Sequence, residues 1–326
     1  MNQHVSMKDI AAQLNITVDA VSKALRDSPA ISEATKAKVR AKAKELGYVK
    51  NILAASVKSG RSKNVAIFIN DLYNPYFSIM SNKILKELDA QGYVGILSLS
   101  NGYYLEEKDT MTVFANKCPL AISLVEPSKD VVNLFVSNKI PLFLIGIKPK
   151  EEEINYAITD DFDGGYKVGK YFALNSFKKA IFVTNSPSET STRRYSGFIK
   201  AISEGPEIKP YSFVPYDIKG DIIKTAARSI QNENIDFAFC YSDYVGYALR
   251  TELHKQHFKG KVTIFGYDNT SEFMTCFDSL NSVATDVNAL VKDVVTNAIK
   301  SLDDGRMMKK TYPVQLVLQT EWIFSQ

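Results

Sequence analysis

Cysteine, histidine and tryptophan are scarce in this sequence, whose 326 residues include three Cys, three His and one Trp. Cys118, Cys240 and Cys276 are too few and too scattered for a disulfide framework, and no two of them form a CxxC pair. This cysteine usage favours a reducing cytoplasm as the location of the protein. Three histidines argue against a histidine-rich metal site, so we expect neither a metal nor a cofactor.

Long apolar runs are also missing from the sequence. The longest, such as Val65–Ile69 and Pro141–Ile145, stop far short of the ~18 residues that a membrane helix needs. Residues 1–6 do not lead from a basic flank into an apolar stretch, so we expect no secretion signal. With 45% hydrophobic and 23% charged residues, the composition is typical of a globular protein, and the length suggests two domains or one large one.

Positive charge is concentrated at the amino-terminal end of the chain. Residues 1–63 hold twelve Lys or Arg and five Asp or Glu, a net charge of +7, whereas the remaining residues have a net charge of −3. This asymmetry favours a nucleic-acid-binding segment attached to a near-neutral body. A solvated basic helix face is the alternative interpretation.

The basic segment has the pattern of three short helices. Ser6-Met7-Lys8-Asp9 fits a capping box, Thr17 can cap a second helix from Val18 to about Leu25, and Ser32 can cap a third helix that stops at Gly47. Two short helices joined by a three-residue turn and followed by a third form a helix-turn-helix pattern. Because three-helix units are common, this periodicity alone leaves open whether the segment binds DNA.

The rest of the chain alternates apolar, β-branched runs with amphipathic stretches such as Ile79–Gln91, which is the pattern of βαβ units. Two series of similar length predict two α/β lobes with parallel sheets, and ligands of such sheets bind at the carboxyl ends of the strands. A late helix, Ala289–Leu302, is expected in the first lobe, and Val314–Ile323 is expected to return to the second. The predicted strands are Val65–Ile69, Val94–Leu99, Leu120–Val125, Pro141–Ile145, Ala180–Thr184, Tyr211–Pro215, Phe237–Cys240 and Val262–Phe265.

Specific residues narrow the interpretation. The informative segments are Lys8-Asp9-Ile10-Ala11, Ile16–Leu25, Ile31-Ser32, Glu45-Leu46-Gly47-Tyr48 and Asn51–Gly60. They resemble the headpiece and hinge helix of the lac repressor and galactose repressor family, and the resemblance continues through the rest of the chain.

This resemblance implies a small all-α helix-turn-helix headpiece over residues 1–50, a hinge over 51–62, and an α/β core over 63–326. The core would have the two-lobed, periplasmic-binding-protein-like fold, with parallel sheets and an interlobe cleft. Its first lobe would comprise about 63–159 and 287–313, and its second lobe about 160–286 and 314–326, with three crossovers between them.

The resemblance also implies a DNA-contacting surface, in which the second helix enters the major groove. Asp19 can only accept hydrogen bonds and therefore favours the cytosine amino group, whereas Lys23 is a donor that favours guanine. Ala20 replaces a threonine that is common in the family, and a solvated helix face is the alternative interpretation. The expected DNA contacts are Thr17, Val18, Asp19, Ser22, Lys23, Arg26, Ser32, Thr35, Tyr48, Asn51, Ala54 and Val57.

The predicted hinge helix is short, about nine residues, whereas an isolated helix needs ~12–15 to be even marginally stable in water. We therefore expect it to fold only when two copies meet in the minor groove, where the family inserts a leucine wedge. Val57 matches that wedge but is smaller, and Ala55 stands where the family has an arginine. A plain interdomain linker is the alternative.

Residues at strand ends predict a ligand cleft between the lobes. Asp71, Tyr76 and Phe77 lie in a loop that resembles the family's NP-aromatic-aromatic motif, Arg194 begins an RxxGF motif, and Asp268 ends a GxD motif. An arginine fork beside a carboxylate suits a polyhydroxylated ligand. The alternatives are loop capping and core filling for the first motif and a structural interlobe salt bridge for the other two. The expected effector-binding residues are Asp71, Tyr76, Phe77, Asp160, Ser188, Thr190, Arg194, Ser242 and Asp268.

We therefore predict a ligand-responsive transcriptional regulator, a repressor of carbohydrate-metabolism genes that binds a pseudo-palindromic DNA operator as a homodimer. Its expected effector is a sugar or sugar phosphate, alternatively a nucleobase. A cytoplasmic sugar- or nucleobase-binding receptor without a DNA role is the alternative function. An enzyme is not expected, because Gly164–Lys170 reads G-x-x-x-x-G-K but Tyr171 follows where a P-loop needs Ser or Thr.

Overall fold

The chain forms two compact units, Met1–Ser62 and Lys63–Gln326, in a computed structural model. The structure describes residues 5–48, 62–100, 102, 104–184, 188–203, 211–214, 222–274 and 279–319. Within these ranges no helix combines the length and the apolar character needed to cross a membrane.

The first unit is a bundle of three helices, α1 (Met7–Leu14), α2 (Val18–Leu25) and α3 (Glu33–Glu45). The turn between α1 and α2 begins at Asn15, whose φ of 51° lies in the left-handed region. Because asparagine tolerates this conformation, it can end one helix and turn the chain into the next. The three helices enclose a small apolar core whose most buried members are Ile10, Val21, Ala24 and Val39.

Side-chain caps fix where these helices begin, as the sequence predicted. The Ser6 backbone N–H donates to Asp9 Oδ2 at 2.7 Å, which forms half of the predicted capping box. Thr17 Oγ1 accepts from the backbone N–H of Ala20 at 3.1 Å, and Ser32 caps α3 in the same way. Each cap satisfies an amide that the first turn of a helix leaves without a partner.

The second unit alternates strands and helices. Its strands are β1 (Asn64–Ile69), β2 (Val94–Leu99), β3 (Tyr104–Leu105), β4 (Leu120–Ser123), β5 (Glu126–Pro127), β6 (Leu142–Ile145), β7 (Asn155–Thr159), β8 (Ala180–Val183), β9 (Tyr211–Val214), β10 (Phe237–Cys240), β11 (Thr263–Phe265), β12 (Ser282–Ala284), β13 (Lys309–Tyr312) and β14 (Gln315–Val317). Its α-helices are α4 (Pro75–Ala90), α5 (Met111–Ala115), α6 (Lys129–Ser137), α7 (Asp161–Leu174), α8 (Glu189–Ser203), α9 (Ile222–Glu233), α10 (Asp243–Lys255) and α11 (Val287–Asp304), and single 3₁₀ turns span Glu107–Thr110 and Thr270–Glu272.

Two parallel sheets organise this unit, which confirms the predicted α/β core. The first sheet has the order β13-β7-β6-β4-β1-β2 and the second β11-β10-β8-β9, and every pairing within them is parallel. Helices α4 and α11 pack on one face of the first sheet and α5 and α6 on the other. Helices α9 and α10 cover one face of the second sheet, and α7 and α8 cover the opposite face. Burial on both faces explains why the central strands are continuously apolar.

The chain passes three times between the two lobes that these sheets define. It crosses from β7 to α7, from β12 to α11, and from β13 to β14. Strands β12 and β14 pair antiparallel, so two of the crossing segments are held together beside the second sheet. Crossing segments of a few residues are typical of the hinges about which protein lobes move.

Five strands, β3, β5, β7, β12 and β13, lie outside the runs that the sequence predicted. β7 mixes polar and apolar residues because Asn155 is buried and donates its amide to the Leu142 carbonyl at 3.3 Å. β13 is an exposed edge strand in which only Tyr312 is buried. The predicted strand Leu120–Val125 ends early, because the Ser123 hydroxyl bonds the Val125 backbone and turns the chain.

The P-loop-like segment Gly164–Lys170 lies inside helix α7, where its glycines serve helix packing. A Cβ on Gly165 would lie 1.9 Å from the carbonyl oxygen of Arg194, and one on Gly197 would lie 2.0 Å from that of Phe162. Helices α7 and α8 therefore touch backbone to backbone, which only glycine permits. The segment is not a phosphate-binding loop.

Candidate DNA-binding face and effector cleft

Helix α2 presents an exposed polar surface formed by Thr17, Val18, Asp19 and Lys23. Lys23 Nζ lies 2.7 Å from Asp19 Oδ2, one turn earlier on the same face, so these two expected base readers form an ion pair. The Val18 side chain is 40% exposed. This surface offers one carboxylate, one ammonium and one apolar group to a partner.

The expected phosphate contacts lie around α2 with mixed exposure. Ser32 and Thr35 share a hydroxyl–hydroxyl hydrogen bond of 2.9 Å at the start of α3. Arg26 Nε donates to the Ser22 carbonyl at 3.2 Å, which holds the arginine against the end of α2. Tyr48 packs its ring on the core of the unit. These side chains are anchored to the helices rather than free in solvent.

A buried cation supports the same surface, and sequence reasoning missed it. Lys36, 5% exposed, places Nζ 2.7 Å from Glu33 Oε1 and 3.3 Å from Asp27 Oδ1. The hydrogen bond from Lys36, followed by the charge of Arg40, lowers the pKa of Asp27. Asp27 has a φ of 61° in the loop after α2. The pair therefore ties this loop to α3 and fixes the angle at which α2 is presented.

The predicted hinge contacts Asn51, Ala54 and Val57 lie outside the described residues, as do Ala55 and nearly all of the range 51–62. Their expected roles remain predictions from the sequence.

In the second unit, Arg194 of α8 is the centre of a buried polar cluster. Its Nε donates to Asp161 Oδ1 at 2.9 Å, and its Nη1 donates to the Tyr241 carbonyl. The guanidinium carbon lies 3.5 Å from the ring centroid of Tyr267 and 4.9 Å from that of Tyr241. Burial disfavours its charge, but Asp161 and Asp268 outweigh burial and raise the pKa of Arg194. These groups all belong to the second lobe, so the interlobe salt bridge considered from the sequence is wrong.

Asp268 is the acceptor of this cluster that remains open. Its Oδ1 lies 3.8 Å from Arg194 Nη2, beyond hydrogen-bond distance, and its side chain is 14% exposed. Burial raises the pKa of Asp268 to about 6, against the opposing charge of Arg194. Its φ of 94° turns the chain sharply after β11. The carboxylate is thus held at the end of a strand with acceptor capacity to spare.

A second buried carboxylate, Asp243, joins the loop after β11 to strand β12. It accepts from the Thr270 backbone N–H at 2.6 Å and from the Ser282 hydroxyl at 2.7 Å. Burial, followed by the charge of Asp268, raises the pKa of Asp243 to about 7 despite these bonds. Because Ser282 precedes a crossing between the lobes, Asp243 links the cluster to the crossing.

Tyr76 and Phe77 of the first lobe both pack against its apolar core, and Tyr76 also lies near the polar cluster of the second lobe. Tyr76 and Phe77 at the start of α4 pack edge to face, with ring centroids 5.4 Å apart. Burial, followed by the charge of Asp268, raises the pKa of Tyr76. The phenol of Tyr76 therefore lies close to the acidic cluster of the second lobe. Thr190 Oγ1 donates to the Gly146 carbonyl at 3.3 Å, a hydrogen bond that bridges the two lobes. The cleft is therefore narrow at this point.

Four expected effector residues have internal partners. Asp71 Oδ1 accepts from the Tyr73 backbone N–H at 2.7 Å, as a loop-capping role requires. Asp160 caps α7 through the Asp163 backbone N–H at 3.1 Å. Ser242, buried, caps α10. Ser188 bonds the side chain of Tyr241.

Sequence reasoning missed Asp161, Tyr241 and Asn70. Asp161 follows Asp160. Capping of the helix accounts for the Asp160 carboxylate but leaves the adjacent Asp161 carboxylate without a role, which was a usable signal. Tyr241 follows β10 directly, so its position at a strand end was a usable signal. Asn70 ends β1, and its buried Oδ1 has no hydrogen-bond partner within the described residues, although asparagine at a strand end has no distinctive sequence pattern.

Comparison with known proteins agrees with this architecture. Residues 6–51 match the family model "Bacterial regulatory proteins, lacI family", and residues 65–304 match "Periplasmic binding protein domain". The chain is 25% identical over 278 residues to the HTH-type transcriptional repressor PurR of Photobacterium profundum, covering 81% of this chain and 82% of that one. It is 22% identical over 322 residues to the HTH-type transcriptional regulator RegA of Clostridium saccharobutylicum, covering 95% and 96%.

Solved structures show the same fold. The lac repressor dimer bound to operator and the anti-inducer ONPF is similar with a TM-score of 0.76 at 18% identity, covering 97% of this chain and 98% of that one. A LacI family transcriptional regulator from Enterococcus faecium with bound ribose gives a TM-score of 0.69 at 18% identity, covering 80% and 98%. Fold and site together define a two-lobed, periplasmic-binding-protein-like receptor that carries a helix-turn-helix unit. The chain belongs, over residues 65–304, to the periplasmic binding protein domain family, and it carries a lacI-family helix-turn-helix domain at residues 6–51.

Proposed function

We propose that this chain is a transcriptional repressor that binds a pseudo-palindromic operator as a homodimer and responds to a small sugar bound between the lobes of its second unit. The observation that supports the proposal is the combination, in one chain, of a helix-turn-helix unit that exposes Asp19 and Lys23 on α2 with a two-lobed α/β core that holds Arg194 and Asp268 together. The relatives reported above are transcriptional regulators by name, which supports a non-catalytic role. A role in binding DNA in turn supports a cytoplasmic location.

The first unit would place α2 in the major groove. Asp19 and Lys23 would read base edges, and Val18 would pack on an apolar group such as a thymine methyl. Hydroxyls and amides at helix starts would bond phosphates and set the register. The proposed flanking contacts are Thr17, Ser22, Arg26, Ser32, Thr35 and Tyr48.

The cleft would hold a polyhydroxylated ligand. Asp268 has acceptor capacity for hydroxyl groups, and Tyr76 and Phe77 offer aromatic faces to the apolar side of a sugar ring. The Nε and Nη1 atoms of Arg194 already donate to Asp161 and Tyr241. Its Nη2 atom lies 3.8 Å from Asp268 Oδ1, so a donor and an acceptor are adjacent at this end of the strand. One acceptor beside one donor suits neighbouring hydroxyls of a sugar, and a nucleobase is the second choice.

The effector would act through the distance between the lobes. The bond from Thr190 to Gly146 exists only while the lobes are close, so a ligand that favours closure also favours this contact. The ligand acts through its difference in affinity for the two states, and a shift from 1:99 to 99:1 requires ~5.5 kcal/mol of preference.

An edge of the first sheet supports the proposed homodimer. β2 lies at the end of the sheet order and exposes Val94, Leu97 and Leu99 by 38–49%. An apolar edge strand is a surface that proteins normally cover. Two copies that cover it symmetrically would present two headpieces to a dyad-symmetric operator.

Two assays test the proposal together. A thermal-shift screen of sugars, sugar phosphates and nucleobases should find a ligand that raises the melting temperature, since ligands stabilise the state they bind. Nuclease footprinting on the DNA upstream of the protein's own gene should reveal a protected dyad whose occupancy changes with that ligand. Asp268→Asn, which keeps the shape but removes the charged acceptor, should lose the ligand response and keep the footprint. A chain that protects no dyad with or without ligand is not a repressor.

A further inference from the structure

The exposed ion pair on α2 has a geometry that matches one particular base pair. Asp19 and Lys23 are one helical turn apart, with Lys23 Nζ 2.7 Å from Asp19 Oδ2. Their side chains are 64% and 44% exposed, so the polar atoms of the pair remain accessible from the side that α2 turns to solvent. The pair thus presents an acceptor and a donor at a fixed, short spacing.

A C·G base pair shows the complementary arrangement in the major groove. The cytosine N4 amino group and the guanine O6 bond each other within the pair, so they lie about 2.9 Å apart. The carboxylate can accept the N4 hydrogen that pairing leaves free, while the ammonium donates to guanine O6 and N7. Both contacts form without breaking the ion pair, because the spacing of the two protein groups is almost the spacing of the two base groups.

The other base pairs fit less well. In G·C, with guanine on the Asp19 side, the carboxylate meets the acceptors O6 and N7 and the ammonium meets the amino group. In T·A the carboxylate meets thymine O4 and the ammonium meets the adenine amino group. In A·T the amino group is correctly placed, but adenine N7 lies beside the carboxylate and the thymine methyl beside the ammonium.

We propose that Asp19 and Lys23 act as one unit that reads a single C·G base pair in each operator half-site, with cytosine on the Asp19 side and guanine on the Lys23 side. This inference rests on the proposed function, since it assumes that α2 enters the major groove. The same ion pair withholds the ammonium from other acceptors, so Lys23 gains less from a guanine whose paired cytosine amino group lies out of reach of Asp19. The two residues therefore specify one position together instead of two positions separately.

Selection from a random duplex library with the full-length chain, followed by titration of each half-site variant, tests this reading. The variants are Asp19→Ala, Lys23→Ala, the double alanine variant, and the charge swap Asp19→Lys with Lys23→Asp. Lys44→Ala, an exposed lysine in the last turn of α3, is the matched control for loss of one positive charge. Loss of a base contact costs about 5- to 150-fold in affinity for the preferred base.

Each alanine variant is expected to reduce the affinity difference between C·G and the other base pairs at the same operator position. The double variant is expected to reduce this difference no further than either single variant does. The charge swap is expected to change the preference at that position from C·G to G·C, and the control to keep the C·G preference. A reduced difference at two different positions, or a swapped variant that still prefers C·G or selects no duplex, overturns the inference. A wild-type chain that selects no duplex at all instead overturns the proposed function, so the two failures are distinguishable.

Discussion

Arg194 and Asp161 form a buried ion pair in the second lobe, with Arg194 Nε donating to Asp161 Oδ1 at 2.9 Å and both side chains under 8% exposed. Asp161 begins α7 and Arg194 lies in α8, the two helices that touch backbone to backbone. The pair thus locks the α7–α8 contact and at the same time aims the guanidinium toward the cleft. Arg194, a residue proposed to face the effector, is thus also one that holds the lobe together.

Arg194→Ala should lower the free energy of unfolding of the second unit by about 3–5 kcal/mol. The reason is that Asp161 would remain buried without its partner, and breaking one side of a buried pair costs this much. Chemical denaturation followed by far-UV circular dichroism measures this change in the free energy of unfolding.

The matched control is Arg193→Ala, since the neighbouring arginine has no ion pair within the described residues, and we expect a loss below about 1 kcal/mol. The double variant Asp161→Ala with Arg194→Ala should be less destabilised than the sum of the two single variants. Strict additivity would show that the pair does not stabilise the lobe.

Gly165→Ala should destabilise the second unit by more than about 2 kcal/mol. The new Cβ would meet the Arg194 carbonyl oxygen at 1.9 Å, so α7 and α8 must separate. Overpacking of this kind typically costs 1–3 kcal/mol, and backbone has less freedom to move than side chains. Ser196→Ala, on the exposed side of α8, should stay within about 0.5 kcal/mol of wild type in the same unfolding assay. Equal stability of the two variants would contradict the close packing.

These two predictions also show where the sequence was informative. Apolar runs predicted eight of the ten strands in the two large sheets, because burial on two faces leaves a signal that needs no partner to be seen, whereas β7 and β13 lack such runs. Helix caps at Ser6, Thr17 and Ser32 were likewise predictable, because a cap is a contact within four residues. The role of Asp161 was not, because it depends on Arg194, which is 33 residues away in the chain. For Tyr241 the end of β10 indicated its position but not its partner Arg194, which is 47 residues away. The closely spaced glycines of α7 resembled part of a phosphate-binding loop in the sequence. Their role, close packing against α8, depends on a helix that is distant in the sequence.

Stability should fall as the pH rises from 5 to 8, through Asp243 and Asp268. Their folded pKa values of about 7 and about 6 lie above the ~3.9 of an unfolded aspartate. Between these limits the folded protein binds more protons than the unfolded chain, so the contribution is largest below pH ~4 and is lost as pH rises through the folded pKa. Each group contributes up to about 1.4 kcal/mol per pH unit.

The check is the free energy of unfolding of wild type and Asp243→Asn at several pH values. The wild-type curve should be steeper between pH 5 and 8, since asparagine does not titrate. Asp89→Asn, an exposed position near the end of α4, serves as control and should keep the wild-type slope. Parallel curves for wild type and Asp243→Asn would refute the raised pKa of Asp243.

Operator binding should weaken steeply with salt. If the net charge of +7 in residues 1–63 engages six to ten phosphates, the affinity should fall about 10³- to 10⁵-fold between 50 and 200 mM salt, because released counterions drive binding. Fluorescence anisotropy of a labelled duplex measures the slope. A scrambled duplex of equal length should bind more weakly and still respond to salt. A salt-independent affinity for the operator would contradict a phosphate-bound headpiece.

The most direct measurement of the account is a titration of the full-length chain against a selected dyad-symmetric duplex and its scrambled counterpart, each with and without a ligand found by thermal shift. We expect a preference for the dyad of at least about 10³-fold at physiological salt, and a change of that preference when the ligand is added. Equal affinity for both duplexes, unaffected by any ligand that stabilises the second unit, would contradict the central claim.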